Sequence, residues 1–360
     1  MQVITFIIAA FSLAGAADYL FGNKLGLGGE FKRAFSLFAP MALSMLGMIV
    51  IAPAIGVWLT PAFEKFYLAY NIDPSVIPAS LFANDMGGMQ LSKAVCKTEE
   101  IGLFNAFIVS SMMGCVISFT IPFSLGIVDK SRHKALFFGL LCGIVTVPVG
   151  CFAAGLLCGL EPMALGMNLL PLILFSVAVG LALILFPKVC IGGFTVFGFF
   201  MKFLGIAGLA CAIFTFLTGV QISDQFDTFE NAAFICANAC VTLSGALPFM
   251  FAMEKLLKKP LGKLGKALGI NTVATLALLG NLVTNASVFG VMDKMDRKGI
   301  VLTSAFAVSA AFVFGSHLAF TMAFDDRYVV PVILGKLVSG VCALVLALLI
   351  YKRVPVSEQA

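Results

Sequence analysis

Residues 78–88 read Pro78-Ala-Ser-Leu-Phe-Ala-Asn-Asp-Met-Gly-Gly88. An amide, a carboxylate and two adjacent glycines interrupt a stretch, 74–96, that is otherwise largely apolar. In a water-soluble chain this would be an ordinary turn. Here the flanks change its meaning, because long apolar runs lie on both sides. Each is long enough to cross about 30 Å of hydrocarbon at about 1.5 Å per helical residue. A carboxylate at that depth costs roughly 2.5–3.5 kcal/mol on insertion scales, so it is expected to be paired or functional.

Working outward, nine uninterrupted apolar runs cover 2–22, 37–62, 101–128, 135–160, 163–187, 192–219, 232–253, 299–323 and 329–351. Of 360 residues 61% are hydrophobic and 11% charged, with mean hydropathy +1.07. A soluble domain carries about 25% charged residues. Such a chain needs lipid as its solvent, and runs this long predict helices rather than a barrel. Residues 1–17 are apolar with no basic residue before them. They are read as a retained first span and not as a cleaved leader.

Two further apolar stretches, 74–96 and 272–292, are broken by polar residues. The second contains Gly280-Asn281, Thr284-Asn285 and Ser287. Loop charge decides how they run. Basic residues cluster at Lys24, Lys32 and Arg33, at Lys130, Arg132 and Lys134, at Lys255 to Lys266, at Lys294, Arg297 and Lys298, and at Lys352 and Arg353. All are expected to be cytoplasmic. The acidic loops Asp224/Asp227/Glu230 and Asp325/Asp326 then fall outside. The bookkeeping closes only if 74–96 starts and ends outside and 272–292 starts and ends inside. Both are therefore expected to be re-entrant hairpins, with the N-terminus outside and the C-terminus cytoplasmic. The segment 254–271, with lysines between leucines and Pro260 as a break, is read as a helix at the cytoplasmic interface.

An internal repeat agrees. Ala106-Phe107-x-Val109-Ser110 returns in the second half as Ala305-Phe306-x-Val308-Ser309. Leu43-Ser44 pairs with Leu243-Ser244, Pro61 with Pro260, Asn84 with Asn281, and Gly139 and Gly143 with Gly335 and Gly340, all at nearly the same offset. The expected fold is an all-α polytopic membrane protein of two inverted repeats. Each has four spanning helices plus a re-entrant hairpin. The first occupies 1–160 with hairpin 74–96, the second 192–360 with hairpin 272–292, and span 163–187 joins them. Inverted repeats whose broken, polar segments meet near the midplane are a transporter signature.

The net charge of +5 does not indicate nucleic acid, since the basic residues sit in short loops. The ten cysteines form no Cys-x-x-Cys pair and there are two histidines, so neither a metal site nor a cofactor is expected. The candidate substrate site is Asp85 with Asn84, Gly87 and Gly88, facing Asn281, Thr284 and Asn285. Ser287 belongs to the same stretch. A carboxylate suits a cation, and amides and hydroxyls suit a hydroxyl or ammonium. His317, with Ser316 beside it, is the candidate proton relay. Ser110, Ser111 and Ser309 are read as helix-packing residues and Asp18 as interfacial. Snorkelling accounts for Lys202, whereas Lys336 has no such account.

At these residues the chain resembles the EutH family of ethanolamine utilisation transporters. The resemblance lies in Asp85-Met-Gly-Gly88, Ser111-Met-Met-Gly114, Ile121-Pro122, Leu125-Gly-Ile127 and Gly143-Ile-Val-Thr146. It continues in Lys259-Pro260-Leu261, Phe289-Gly290, Met295-Asp296, Ala305 to Phe312, Gly315-Ser-His-Leu318 and Gly335-Lys336-Leu337. It implies a bacterial cytoplasmic-membrane permease, not an enzyme, that imports ethanolamine. Ethanolamine is a small hydroxyl-bearing amine, protonated at neutral pH. Asp85 can pair with the ammonium, and Asn84, Asn281 and Asn285 can take the hydroxyl. A homo-oligomer is compatible with this reading. Facilitated and proton-coupled uptake both stay open. The alternatives are a carrier of another small amine or polyol, an intramembrane aspartyl protease using Asp18 and Asp85, and a non-transporting receptor or scaffold.

Overall fold

The computed structural model describes residues 2–351, so Lys352 and Arg353 lie outside it. The described residues are helical, with no strand among them. In order the helices are α1 (Gln2–Leu20), α2 (Leu27–Ser36), α3 (Phe38–Met41), α4 (Gly47–Tyr70), α5 (Val76–Leu81), α6 (Gly88–Val95), α7 (Glu99–Phe104), α8 (Ile121–Ile127) and α9 (His133–Leu157). They continue as α10 (Pro162–Leu185), α11 (Pro187–Thr218), α12 (Phe229–Leu268), α13 (Thr272–Val283), α14 (Asn285–Phe289), α15 (Arg297–Ala310), α16 (Ser316–Phe324) and α17 (Val329–Ile350).

Eight helical stretches among the described residues are long and apolar enough to cross a membrane: Val3–Leu20, Gly47–Tyr70, Glu99–Ile127, Lys130–Leu157, Pro162–Leu183, Lys188–Thr218, Phe229–Leu257 and Asp326–Ile350. They match eight of the nine expected runs. The ninth, 299–323, is not one helix. It ends at Ala310 and restarts at Ser316. Residues 311–315 leave the helical path because their amides bond elsewhere. Phe312 and Phe314 donate to the Asn281 and Leu282 carbonyls of α13, at 3.0 and 2.7 Å.

A second difference concerns Pro260, expected as a break. α12 runs through it for 40 residues. Proline removes one amide donor from a helix, and the bonds on either side carry the helix past it. The chain turns instead at Gly269, which takes φ +65. The axis after Pro260 and the axis of α13 differ by 115°.

The spans sort into a core and a rim. In Glu99–Ile127, 83% of the apolar window is buried, against 17% in Val3–Leu20. The central span is built around wide-turn π-helical stretches, Asn105–Gly114 and Val116–Thr120, joining α7 to α8. It packs against α5, α6, α9, α15 and α17. Its large buried side chains include Phe104, Phe107, Met112 and Met113. On the rim, Val3, Phe6, Leu174, Phe199, Phe203 and Leu349 are exposed. A continuous apolar exterior of this kind is intolerable in water and suits lipid. The chain is an integral membrane protein.

The outer helices cross between the halves of the chain. α11 packs on α4, and α1 packs on α12. Both contacts are glycine-mediated, since a Cβ on Gly47 would strike the Gly205 carbonyl and one on Gly245 would strike the Ile8 carbonyl. Small residues let helices approach closely where lipid supplies no hydrophobic drive.

Candidate functional site

α5 stops at Leu81 because the chain becomes extended at Phe82 and Ala83. One 3₁₀ turn follows, Asn84–Met86, and Gly87 at φ +90 lets α6 begin at Gly88. A left-handed residue is inexpensive only as glycine. The freed backbone groups find partners. The Ala83 amide donates to Ser118 Oγ at 3.0 Å, and the Gly88 amide to the Ala83 carbonyl at 2.9 Å. Asn84 Oδ1 accepts the Asp85 amide at 3.0 Å. The turn is held against the central span by Gly114, where a Cβ would overlap the Phe82 carbonyl. These contacts leave Asp85 at the break with its side chain 14% exposed.

The break between α15 and α16 lies across from it. Gly315 does there what Gly114 does above, because a Cβ on it would overlap the Val283 carbonyl. Phe312 stands at φ +62, a conformation that costs a non-glycine residue on the order of 1–3 kcal/mol. It is held by its bond to Asn281 and by ring contacts with Phe119 at 5.8 Å and His317 at 4.9 Å.

The restart of α16 brings two side chains to Asp85. The Ser316 hydroxyl lies close enough to the Asp85 carboxylate to act on it. His317 Nε2 lies 3.9 Å from Asp85 Oδ1. Behind the imidazole is Lys336 of α17, 1% exposed. Its Nζ donates to the Ser111 carbonyl at 2.5 Å and contacts His317 Nδ1 at 3.2 Å. Asp85, Ser316, His317 and Lys336 thus form one continuous polar cluster drawn from both halves of the chain.

The remaining candidates distribute differently. Asn285 is fully buried, and its Nδ2 donates to Thr120 Oγ1 of the central span at 3.0 Å. Asn281 is also fully buried, but its Nδ2 bonds the Thr303 carbonyl at 3.1 Å and ties α13 to α15. The Thr284 hydroxyl accepts the Ala286 amide at 3.2 Å and starts α14. Thr284 and Ser287 line a cavity of about 130 Å³ with Gly280, Glu30, Arg33 and Glu254. Among the described residues, buried polar atoms without a partner are Asn84 Nδ2, Asn281 Oδ1, Asn285 Oδ1 and both amide atoms of Gln90. An unpaired buried donor or acceptor costs about 1–3 kcal/mol.

Asp18 lies near the end of the first span. It is buried, and its two oxygens accept the Leu25 and Gly28 amides, each at 2.9 Å, at the start of α2. A carboxylate occupied in this way is a poor protease partner for Asp85. Ser309 bonds Ser339 at 2.6 Å, joining α15 to α17. Among the described residues no group of three or more His, Cys, Asp or Glu side chains is placed to hold a metal.

Sequence reasoning flags Lys336 without giving it a role, and does not single out Thr120 or Gln90. The signal for Lys336 is present, namely a cation far inside an apolar run. Thr120 gives none, since a lone hydroxyl in a membrane helix is commonplace.

Comparison with known proteins gives a consistent result. Residues 1–350 match the family model described as "Ethanolamine utilisation protein, EutH". The "Probable ethanolamine permease EutH" of Listeria monocytogenes is 37% identical over 359 residues, 100% of this chain and 96% of that protein. "Uncharacterized protein YxeR" of Bacillus subtilis is 37% identical over 342 residues, covering 95% and 92%. The "Probable ethanolamine permease EutH" of Salmonella typhimurium is 33% identical over 391 aligned positions, covering 98% and 96%. No solved structure gives a significant match.

Proposed function

The chain belongs to the EutH family of ethanolamine utilisation proteins, and on that premise we propose that it imports ethanolamine by alternating access around a site at Asp85. The observation that carries this reading is a carboxylate at the meeting point of two helix breaks, with His317 Nε2 3.9 Å from it and Ser316 beside it. Ethanolamine carries an ammonium and a hydroxyl two carbons apart. Asp85 takes the ammonium, whose burial without a counter-charge would cost several kcal/mol. The free Asn84 Nδ2 and Asn285 Oδ1 offer a donor and an acceptor for the hydroxyl. Gly87 and Gly88 allow the turn to fold back beside the carboxylate. Asn281 and Thr284 serve in this reading as the frame of the second break.

Two inverted repeats support alternating access. Phe82 with Gly114, and Val283 with Gly315, make the same contact at one common spacing along the chain. Gly47 with Gly205, and Gly245 with Ile8, do so at nearly that spacing. The matching residue for Asn84 is then Asn285 rather than Asn281. Residues 1–160 and 192–360 form the two repeats, and 163–187 joins them. Segments 74–96 and 272–292 enter and leave on one side each. The lysine-rich loops place the C-terminus in the cytoplasm of a bacterial cell and the N-terminus outside. The cavity beside Thr284 and Ser287 then opens inward, past Glu30, Arg33 and Glu254.

Uptake of labelled ethanolamine into proteoliposomes tests the assignment. Asp85→Asn should abolish it while the protein stays folded in the membrane; undiminished uptake by that variant would sink the reading. Repeating the assay with and without a pH gradient separates facilitated from proton-coupled import. Competition by choline, serinol and ammonium separates ethanolamine from other small amines.

A further inference from the structure

Lys336 is a cation buried in the middle of an apolar helix, and the function proposed above does not use it. Its surroundings define what it can do. An ammonium has three donors and no acceptor. One donor meets the Ser111 carbonyl at 2.5 Å. Ser111 lies in the wide-turn stretch Asn105–Gly114, where carbonyls leave the usual α-helical pairing. Another donor faces His317 Nδ1 at 3.2 Å. With Lys336 as the donor in that contact, Nδ1 accepts and the ring proton is left to Nε2, although the Ser111 carbonyl also lies within reach of the ring. Nε2 is the nitrogen 3.9 Å from Asp85 Oδ1.

The geometry points to Lys336 as the positioning residue for the cation site. Its ammonium fixes His317 as the neutral tautomer with Nε2–H toward Asp85, and keeps that carboxylate available to the substrate ammonium. While Nδ1 is occupied by a donor, the ring has nowhere to bind a second proton. An imidazolium beside Asp85 would instead pair with it and compete with a cationic substrate. The other titratable groups acting on the cluster are thiols: Cys115 of the central span, Cys151 of α9 and Cys236 of α12. A thiol's ordinary pKa near 8.5 leaves it uncharged at neutral pH, so Asp85 and Lys336 are the two charges that His317 separates. This inference deepens the reading of Asp85 as an ammonium site.

The test reads the tautomer directly. The chain has two histidines. Full-length His133→Gln protein, labelled with ¹⁵N-imidazole and held in lipid bilayers, therefore reports His317 alone. The expected spectrum at pH 7 and at pH 6 shows bare Nδ1 and protonated Nε2. Protonated Nδ1 at either pH overturns the proposal. In Lys336→Met, Nδ1 loses its donor and should carry a proton in part of the population, as the other neutral tautomer or as imidazolium, while Lys336→Arg, which also only donates, should keep the original spectrum. A spectrum for Lys336→Met identical to that of the parent overturns it as well. Should Lys336→Met not fold, the parent spectrum and Lys336→Arg decide the matter. The spectra involve no substrate, so their outcome is separable from that of the ethanolamine assignment. Binding then gives the functional counterpart. Ethanolamine affinity in Lys336→Met should fall as pH is lowered, by up to about tenfold per pH unit once His317 charges and occupies Asp85. The parent should lack this dependence between pH 5.5 and 7.

Discussion

Gly114 lies beneath the carbonyl of Phe82, and in the second half of the chain Gly315 lies beneath that of Val283. At both places a helix ends in extended backbone and a glycine on a neighbouring segment admits it. The frames correspond, but their side chains do not. After Phe82 come Asn84 and Asp85; after Val283 come Asn285 and Ala286. After Gly114 come Cys115 and Val116; after Gly315 come Ser316 and His317. The first half supplies the carboxylate, and the second supplies Ser316, His317 and Lys336 around it. The two frames are alike, and in the function proposed above the chemistry is a single copy divided between the halves.

The largest effect should come from moving the carboxylate across this correspondence. Asp85→Ala combined with Ala286→Asp keeps the number of charges and reverses their placement. If the site is a single copy, uptake should stay lost. Removing one partner of a buried charge pair costs roughly 3–5 kcal/mol, or about two to three and a half orders of magnitude in affinity. Ser316, His317 and Lys336 would still face position 85. Recovery of uptake by the double variant would break the comparison and make the two breaks functionally interchangeable.

The frame can be tested without touching the chemistry. Gly114→Ala and Gly315→Ala each place a Cβ inside contact distance of a backbone carbonyl, which cannot move as a flexible side chain would. Each should destabilise by about 1–3 kcal/mol, read as a lowered thermal midpoint of protein in lipid nanodiscs. Similar losses sharpen the comparison. A loss at one glycine only would mean that the halves are held differently.

These two tests separate what the sequence could and could not reveal. Long apolar runs make the spans legible, because hydrocarbon leaves a helix no other way to satisfy its backbone. The polar interruptions 84–88 and 280–287 locate the breaks. The break at 311–315 is hidden, because Ala311-Phe-Val-Phe-Gly315 is as apolar as a helix and its cause lies in carbonyls offered by Asn281 and Leu282. The sequence pairs Asn84 with Asn281, and the reading proposed above pairs it with Asn285. Asp85 and His317 stand out as polar groups in a greasy context. Their junction with Lys336 is not readable, since the lysine is remote from Asp85 in the chain and only the packing of α16 and α17 brings them together.

A smaller effect is expected where one half makes a bond that the other does not. Asn285 donates to Thr120, whereas Thr321, the counterpart of Thr120 in the second half, turns its hydroxyl to the His317 carbonyl on its own helix at 2.7 Å. Asn84 Nδ2 is correspondingly unpaired. Thr120→Val should cost about 0.6 kcal/mol, and at most about 1.7, the span measured for side-chain hydrogen bonds within membranes. Thr321→Val should be close to neutral. A double-mutant cycle of Thr120→Val with Asn285→Ala isolates the pair. Equal costs at 120 and 321 would erase the asymmetry.

The smallest effect lies where the halves agree most closely. Asp129 precedes α9 and accepts the Ser131 amide at 2.8 Å; its counterpart Asp325 precedes α17 and accepts the Arg327 amide at 3.0 Å. Each starts a 3₁₀ turn that leads into the helix. Side-chain hydrogen bonding lowers both carboxyls below the ordinary aspartate range, from Ser131 in one case and Arg327 in the other. A carboxylate with a depressed folded pKa contributes stability above its unfolded value, about 3.9, and loses it as pH falls through the folded value. Both caps should therefore weaken only below about pH 4, and Asp129→Asn or Asp325→Asn should each flatten the acid limb of a stability–pH curve. Arg327 also grips both oxygens of Asp325, with Nη2 2.6 Å from Oδ2. Asp325→Asn should accordingly cost more than Asp129→Asn at low salt, and 1 M salt should narrow the gap, because the Debye length there is about 3 Å and the Arg327 end of the pair is exposed. A gap that survives high salt would place the difference between the caps in hydrogen-bond geometry instead of charge.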